Sequence, residues 1–498
     1  MRVAVIGGGL GGLAAAARLA RAGLEVTVFE QNPAVGGKAA ELRIAGCRFD
    51  TGPSLLTMPQ VVDDLFTDLG ERREAHLRLR PLDVLCRYQF ADGAVLRSCP
   101  DAGAFGDRLA AATTDTAEAV VRYMARSETL YRLAADFFLY RPIAGWASFG
   151  SGISPAKGLW ALRQLPRLGF GQTMHGLHRR HFRDPRTIQL FDRYATYTGS
   201  DPHRCPATLA LIPHVEHRLG ACLVEGGIYR LVEAVRDLAL RQGVRLQTKT
   251  RVERIVTRNG RVRGVTAMGE TFDFDAAVSA TDMNTTYRKL LADCPSGLGA
   301  RQMRRPLSSS ALVFYWAMRG EYPQLDIHNI FFSGDYRREF EELRQGACPV
   351  DPTVYVYRSC GYVRSDAPVG HENWHVMVNA PPDTGQDWRA EVERTRGRIL
   401  SRLGSALDMD PALAIVEEGL LTPPQIETRT GSHRGSLYGP ASHGATATFL
   451  RQPNRSRDIA GLYFCGGSVH PGGGMPLAML SGALAARQVL EDAAGGRP

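Results

Sequence analysis

The residues of this 498-residue chain that most clearly predict chemistry are glycines near its first residue. Gly7, Gly9 and Gly12 fit the pattern G-x-G-x-x-G, which turns a strand tightly into a helix and lets backbone approach a pyrophosphate. Unpaired N–H groups at the helix start, with the positive end of its dipole, stabilise phosphate charge. Glu30 follows about 20 residues on, where a carboxylate accepts hydrogen bonds from an adenosine ribose. These residues predict a dinucleotide site.

The elements around the glycines are those that such a site needs. Residues 2–6 predict a buried strand, residues 13–22 a helix, and residues 26–29 a second strand that ends on Glu30. Leu10 and Gly11 complete the turn and are predicted to contact the cofactor. A glycine-rich turn alone can be only a turn, but strand, helix, strand and acid in this order favour a Rossmann-like unit.

A second glycine cluster decides which dinucleotide is bound. Gly36, Gly37 and Lys38 follow Glu30 closely, and Gly52-Pro53 lies a little further on. A nicotinamide dinucleotide does not require them, whereas the pyrophosphate and ribityl chain of FAD must be followed further by close backbone and a cation. We therefore predict FAD, with Gly37, Lys38, Gly52 and Pro53 in contact with it. The alternative is a polar loop with a solvated lysine.

The C-terminal part of the chain repeats this pattern. Residues 461–465 predict a strand, Gly466 and Gly467 follow it, and a helix begins near Met475-Pro476. Glycines this dense before a helix predict a second contact with the cofactor, at its flavin end, against the alternative of a flexible loop. Cys465 could carry a covalent flavin link, but a small residue in a buried strand is the favoured interpretation.

The organisation predicted from these patterns is an α/β fold: a discontinuous Rossmann-like FAD-binding domain with an inserted mixed α+β substrate domain. Val252, in a predicted strand–turn–strand meander, is placed in the wall of the adenosine pocket. The predicted FAD-binding domain comprises residues 1–75, 220–290 and 440–498. The predicted insertions are a helical, membrane-associating and substrate region at 76–219 and a mixed sheet at 291–439.

Composition excludes several classes of protein. Hydrophobic residues make up 44% and charged residues 22%, as in ordinary globular proteins. No apolar run reaches the ~18–20 residues that span a bilayer, and no signal peptide precedes the first strand, which predicts a cytoplasmic protein. The nine cysteines show no metal-ligand spacing, so no metal site is expected.

The net charge of +9 raises the question of an anionic partner. No nucleic-acid motif is present in the sequence, so nucleic acid is not expected. Residues 137–181 alternate aromatic and basic side chains, which is typical of helices lying in a membrane interface. The equally open alternative is a core helix pair with a solvated basic face.

The chain resembles the bacterial carotenoid desaturases, the phytoene-desaturase group of FAD-dependent flavoproteins, from end to end. The N-terminal glycine motif and Gly36-Gly37-Lys38 match that family. Further matching segments are residues 50–59 (DTGPSLLTMP), 224–234 (VEGGIYRLVEA), 435–439 (GSLYG), 453–456 (PNRS) and 462–476.

Three segments are similar to the 1-hydroxycarotenoid 3,4-desaturases of purple phototrophs, the hydroxyneurosporene or methoxyneurosporene dehydrogenases. They are residues 191–199 (FDRYATYTG), 328–340 (HNIFFSGDYRREF) and 372–381 (ENWHVMVNAP). One departure is His375, where a second aromatic after Trp374 is expected.

The resemblance implies a C3–C4 desaturation of an acyclic 1-hydroxy- or 1-methoxycarotenoid, with a hydride passing to FAD and a proton leaving the neighbouring carbon. It also implies peripheral association with the inner or photosynthetic membrane. The chain has no second G-x-G-x-x-G, so the electron acceptor is expected to be external, oxygen or a quinone. No catalytic residue is assigned. His470, close to the flavin-side helix, could be a base or only a loop-stabilising hydrogen bonder.

Three other functions remain open at this stage. A phytoene desaturase or other carotenoid desaturase would share the family motifs, although phytoene desaturases proper usually differ in the three segments 191–199, 328–340 and 372–381. An amine oxidase of the same superfamily would need an aromatic cage and a cationic substrate. A redox-inactive flavin-binding accessory protein would keep the glycines and Glu30 and show no flavin reduction by a polyene.

Overall fold

The computed structural model describes residues 1–142, 169, 171–294, 296–444, 447 and 450–495. Within these residues the strands follow the chain in this order: β1 (Arg2–Ile6), β2 (Glu25–Phe29), β3 (Glu41–Ile44), β4 (Cys47–Asp50), β5 (Leu56–Thr57), β6 (Leu79–Pro81), β7 (Cys86–Gln89), β8 (Val95–Ser98), β9 (Ala221–Val224), β10 (Arg245–Gln247), β11 (Val252–Arg258), β12 (Arg261–Ala267), β13 (Glu270–Asp273), β14 (Ala276–Ser279), β15 (Ser310–Arg319), β16 (His328–Phe331), β17 (Val354–Tyr357), β18 (His371–Ala380), β19 (Ile415–Leu421) and β20 (Leu462–Phe464).

The α-helices of the same residues are α1 (Leu10–Arg21), α2 (Pro59–Asp68), α3 (Ala102–Ala112), α4 (Ala117–Ala134), α5 (Met174–His181), α6 (Pro185–Asp192), α7 (Ile212–His217), α8 (Ile228–Arg241), α9 (Met283–Thr285), α10 (Gly297–Met303), α11 (Tyr336–Arg344), α12 (Trp388–Leu407), α13 (Pro411–Ala414), α14 (Pro423–Thr430) and α15 (Met475–Ala494). None of these helices is long and apolar enough to cross a membrane.

A parallel five-stranded sheet carries the N-terminal glycine turn. Its order is β10-β2-β1-β14-β20, and each adjacent pair is parallel. The four residues of β1 after Arg2 are buried, as expected for a central parallel strand covered on both faces. The sheet takes its strands from all three predicted segments of the FAD-binding domain. The predicted Rossmann-like α/β fold is confirmed, while the domain boundaries stay a prediction.

Helix α1 begins earlier than the sequence pattern indicated. It starts at Leu10 and not at residue 13, because Gly9 has extended backbone angles and serves as the N-cap. The glycines Gly11 and Gly12 are therefore inside the first turn of the helix. The predicted meander also forms: β11, β12 and β13 pair in antiparallel order, with Asn259 and Gly260 in the left-handed region at the first turn.

A seven-stranded mixed sheet forms the second layer of the molecule. Its order is β19-β15-β18-β17-β16-β7-β8, and β7 pairs in parallel with β16. Strands β7 and β8 come from the region 76–219, which was predicted as helical, so that region shares a sheet with residues 291–439. Strands of alternating polar and apolar residues, such as β7, are short and give a weak sequence signal.

The first and last helices pack together unusually closely. A Cβ added to Gly482 in α15 would lie 2.3 Å from the carbonyl oxygen of Gly11 in α1. A Cβ added to Gly11 would lie 2.8 Å from the carbonyl oxygen of Ala478. The two glycines therefore permit a backbone-to-backbone contact that joins the two ends of the chain.

We predict that Gly482→Ala destabilises the protein, because the added methyl group must push α15 away from α1. Gly397→Ala is the matched control: Gly397 is exposed in the middle of α12, and an added Cβ would meet no atom within 4 Å. Alanine there should raise stability by up to about 1 kcal/mol, since it is the better helix former. Thermal unfolding of both variants measures this, and an unchanged midpoint for Gly482→Ala would show that the helices are not in this contact.

Candidate flavin and substrate site

The start of helix α1 opens onto a large cavity. No side chain caps the helix at Gly9, so its first N–H groups can serve a ligand. A Cβ added to Gly9 would meet nothing within 4 Å, so open space reaches the backbone there. A Cβ added to Gly12 would lie 2.2 Å from the carbonyl oxygen of Gly7. Gly9 thus gives access to the backbone, while Gly12 lets the helix pack on β1.

The cavity has a volume of about 2020 Å³. Ordinary ligand pockets occupy about 300–1,000 Å³, so this one has room for a dinucleotide and a long second ligand. Of the residues predicted to bind the cofactor, Gly12 does not line it. The predicted residues that do are Gly7, Gly9, Leu10, Gly11, Glu30, Gly37, Lys38, Gly52, Pro53, Val252, Gly466, Gly467, Met475 and Pro476.

Glu30 is held in place at the end of β2 by three hydrogen bonds. Its Oε2 accepts one from the backbone N–H of Gly8 at 2.8 Å. Its Oε1 accepts two from Asn32, from the backbone at 2.8 Å and from the side chain at 2.7 Å. A carboxylate has about four lone-pair sites, so Glu30 retains acceptor capacity on the cavity side.

Lys38 places a half-buried amine in the cavity wall. Its Nζ donates to the carbonyl oxygen of Leu437. Burial lowers the pKa of Lys38 to about 8, and the nearby Asp282 carboxylate opposes that change. Burial likewise raises the pKa of Asp282, with Lys38 acting against it. An anionic ligand beside Lys38, such as a pyrophosphate, would stabilise the charged form of the amine.

Arg451 is a second cation in the wall, this one buried, and the sequence analysis did not predict it. Its guanidinium donates to the carbonyl oxygens of Tyr438 at 3.2 Å and Pro440 at 3.1 Å. Burial lowers its pKa to about 10. It comes from an irregular segment with no periodic pattern, so only the fold brings it next to Gly467. An electron-rich part of the cofactor suits this position.

The second glycine-capped helix opens onto the same cavity. Gly474 is the N-cap of α15, with φ +102°, and no side chain caps that helix either. Met475 and Pro476 form its first turn and line the cavity together with Gly466 and Gly467. Two helix N-termini without side-chain caps and two cationic side chains, Lys38 and Arg451, surround one cavity. This arrangement fits a flavin dinucleotide.

His470 and Cys465 lie near this helix but are not among the residues that line the cavity. The Nε2 of His470 is 2.8 Å from the carbonyl oxygen of Arg141, which can only accept, so this nitrogen carries the proton. Cys465 is fully buried, and burial raises its pKa to about 12. A loop-stabilising role for His470 and a packing role for Cys465 account for these contacts.

Beyond Pro53 the cavity runs along one face of the seven-stranded sheet. Val313, Met377, Tyr355 and Ile330 are direct cross-strand neighbours on β15, β18, β17 and β16, and all four line the cavity. The facing wall is also largely apolar. It includes Leu133, Phe138, Leu139, Leu209, Leu211, Ile212 and Val215. This part of the cavity suits a hydrocarbon ligand.

One buried ion pair lies in the apolar part of the cavity. Arg193 Nη2 is 3.6 Å from Glu216 Oε2, and Tyr194 donates a hydrogen bond to Glu216 Oε1 at 2.8 Å. Tyr197 donates to Oε2. Burial alone would raise the pKa of Glu216, but Arg193 holds it below its ordinary value. The pair is neutral as a whole, so it offers no net negative charge to a cationic substrate.

Comparison with known proteins agrees with this geometry. Residues 10–490 match the model of the flavin containing amine oxidoreductases. The 1-hydroxycarotenoid 3,4-desaturase of Flavobacterium sp. (strain P99-3) is 37% identical over 97% of both chains. The hydroxyneurosporene desaturase of Cereibacter sphaeroides is 38% identical over 99% of this chain and 98% of its own. The chain belongs to the carotenoid-desaturase group of the flavin-containing amine oxidoreductases.

Membership of this family confirms the predicted resemblance and the cofactor. The protein is an FAD-dependent oxidoreductase. Among solved structures, the cyclohexylamine oxidase of Brevibacterium oxydans IH-35A aligns with a TM-score of 0.63 at 17% identity, over 99% of both chains. At that identity the likeness shows the fold alone. The roles of the individual cavity residues toward FAD stay predictions.

We predict that Glu30→Ala weakens FAD binding by about 2 kcal/mol, the scale of hydrogen bonds to a charged group. In the titration of apoprotein with FAD this corresponds to a rise in Kd of about 30-fold. Glu25→Ala is the matched control, since Glu25 is an exposed acid at the other end of the same strand. Equal Kd values for the two variants would remove Glu30 from the cofactor site.

Proposed function

We propose that this protein introduces a C3–C4 double bond into acyclic 1-hydroxy- or 1-methoxycarotenoids, with FAD as the oxidant. The observation that carries the proposal is the apolar extension of the cofactor cavity, in a chain 37% identical to a 1-hydroxycarotenoid 3,4-desaturase over 97% of both chains. A long polyene matches the large volume and the apolar wall of this cavity.

The chemistry divides simply between cofactor and protein. FAD, when bound, would accept a hydride from an allylic carbon while the neighbouring carbon loses a proton, so that one C=C bond forms. The C–H bonds are activated by conjugation, so the protein mainly orients the polyene and excludes water. The face formed by Val313, Met377, Tyr355 and Ile330 gives the polyene a flat apolar support. The neutral Arg193–Glu216 pair supports a hydrocarbon substrate over an amine.

The electron acceptor that reoxidises the flavin comes from outside the chain. The sequence contains one G-x-G-x-x-G at Gly7–Gly12 and no second one that would bind a nicotinamide dinucleotide. Oxygen or a quinone is the acceptor that this arrangement favours. A membrane quinone would also be present where the carotenoid is.

We predict that the holoenzyme converts 1-hydroxyneurosporene in liposomes far faster than neurosporene, and leaves phytoene nearly unchanged. A polar group of the protein that binds the hydroxyl loses its hydrogen-bond partner when the substrate has no hydroxyl. This lowers kcat/KM for that substrate. The measurement is the red shift of polyene absorption when one double bond is added, with added FAD and oxygen or a quinone.

The outcomes separate the alternatives. Efficient conversion of phytoene alone would make the protein a phytoene desaturase. Flavin reduction by amines and not by polyenes would make it an amine oxidase. Tight FAD binding with no reduction by any of these compounds would make it an accessory protein.

We further propose that the protein draws its substrate from a membrane surface. A long polyene is practically insoluble in water, so the enzyme must contact the bilayer that holds it. The docking surface predicted from the sequence is residues 137–181, whose central part, 143–168, lies outside the described residues. The proposal therefore rests on the alternation of aromatic and basic residues in the sequence.

We predict that liposome flotation depends on anionic lipid and weakens as salt rises. Arg163→Ser with Arg167→Ser should reduce flotation, and so should Trp160→Ala. The charge-matched control is Arg301→Ser with Arg304→Ser, two exposed arginines at and just after the end of α10. Equal flotation of the two double variants would assign docking to another surface.

A further inference from the structure

The three segments that resemble the hydroxycarotenoid desaturases meet at one place in the structure. They lie far apart in the sequence, at residues 191–199, 328–340 and 372–381. Each contributes side chains to the wall of the cavity: Arg193, Thr196, Tyr197 and Thr198 from the first, His328, Ile330 and Tyr336 from the second, and His375, Met377 and Asn379 from the third. This wall is therefore where substrate selectivity can be built.

Two histidines in this wall have unused hydrogen-bonding atoms. His328, Tyr357, His375 and Tyr315 form one cross-strand row on β16, β17, β18 and β15. His328 is 4% exposed and His375 is 2% exposed, and both line the cavity. The Nε2 atom of each has no hydrogen-bond partner among the described residues. A buried polar atom of this kind costs free energy until a ligand or water satisfies it.

The protonation of His375 is fixed by its neighbour. Its Nδ1 lies 3.0 Å from the backbone carbonyl oxygen of Asp50. A carbonyl oxygen only accepts, so Nδ1 carries the hydrogen and Nε2 keeps a lone pair that no described residue satisfies, in a ring that lines the cavity. Burial lowers the pKa of His375 to about 4, so the ring is neutral at ordinary pH. His375 is thus a fixed acceptor that only a donor can satisfy.

His328 is different because its neighbour is a hydroxyl. Its Nδ1 is 2.7 Å from the Tyr355 hydroxyl, which is 2.6 Å from the Ser54 hydroxyl. Each hydroxyl can donate or accept, so the Nε2 of His328 can present either a hydrogen or a lone pair. His328 can adapt to a hydroxyl or to an ether and does not discriminate between them.

The position of His375 suits a group close to the reacting carbons. Asp50, to which it bonds, is followed by Thr51 and then by Gly52 and Pro53, which line the cavity and are proposed to contact the flavin. In a 1-hydroxycarotenoid the hydroxyl-bearing carbon is only three bonds from C4. A residue that binds this hydroxyl must therefore lie next to the flavin contact.

We propose that the Nε2 of His375 accepts a hydrogen bond from the terminal hydroxyl of the substrate. The inference rests on the desaturase function proposed above and narrows it. A 1-methoxy end has an oxygen but no hydrogen to donate, and a hydrocarbon end has neither, so both leave the acceptor stranded. The enzyme therefore prefers 1-hydroxycarotenoids over their methyl ethers.

The test is the ratio of kcat/KM for 1-hydroxyneurosporene to that for its 1-methoxy ether. For the wild-type holoenzyme we expect a ratio of about 10 to 100, the scale of one unsatisfied buried acceptor. His375→Phe keeps an aromatic ring beside Tyr315, whose ring centre is 5.4 Å from that of His375. The ratio should fall to about one in this variant, because phenyl does not accept the hydrogen bond.

Two further variants separate recognition from structure. His375→Gln restores an oxygen acceptor and should recover part of the preference. His371→Phe makes the same substitution at the start of the same strand, at a residue that does not line the cavity, and should leave the ratio as in the wild type. A merely structural role of His375 would lower both rates together and leave the ratio unchanged, which would overturn the proposal. Flavin content and thermal midpoint, measured for each variant, report folding.

The outcomes distinguish this inference from the function on which it rests. A wild-type ratio near one, or a ratio that survives His375→Phe and disappears in His328→Phe, overturns the role of His375 while the desaturase function stands. A wild-type holoenzyme that converts neither carotenoid overturns the function itself.

Discussion

The contact between Gly11 in α1 and Gly482 in α15 is the constraint on which the rest of the site depends. It lets the backbones of the first and last helices touch, which a side chain at either position would prevent. Each helix has a glycine N-cap without a side-chain hydrogen bond, and the first residues of both helices line one cavity. We expect the cofactor to contact both ends of the chain, while residues between them form most of the substrate wall.

The cavity combines two kinds of surface with different physical tasks. Around the glycines the wall is backbone, with the half-buried Lys38 and the buried Arg451 as cations, and suits a charged dinucleotide. Along the seven-stranded sheet the wall is mostly apolar, and the buried ion pair Arg193–Glu216 cancels its own charge. A polar atom buried in an apolar wall cannot form a hydrogen bond with water. It therefore favours a substrate that supplies the missing hydrogen bond. Selectivity for the end group of the carotenoid can therefore come from a single nitrogen, the Nε2 of His375.

How much of this could be predicted from the sequence depends on how local each feature is. The turn at Gly7–Gly12, Glu30 and the C-terminal glycines sit at fixed spacing from strands, so pattern alone located them. Arg451 and Asp282 belong to no such pattern, because the fold brings them next to Gly467 and Lys38 from other parts of the chain.

The substrate wall shows the same limit. The segments around Arg193, His328 and His375 were recognised by resemblance, but their meeting at one wall follows from strand register and helix packing. The strands of the region 76–219 were missed because β7 and β8 are short and are completed by pairing with a strand more than 200 residues away.

In the proposed reaction, one continuous cavity holds the hydroxylated polyene against the flavin. The most direct measurement is a single turnover without oxygen, in which the oxidised holoenzyme is mixed with 1-hydroxyneurosporene and both chromophores are followed. We expect the oxidised-flavin absorption to disappear while the polyene absorption shifts to the red. One flavin should be reduced for each polyene that is desaturated. No change in either chromophore, or bleaching of the flavin by an amine while the polyene is unchanged, would rule out this placement of the polyene.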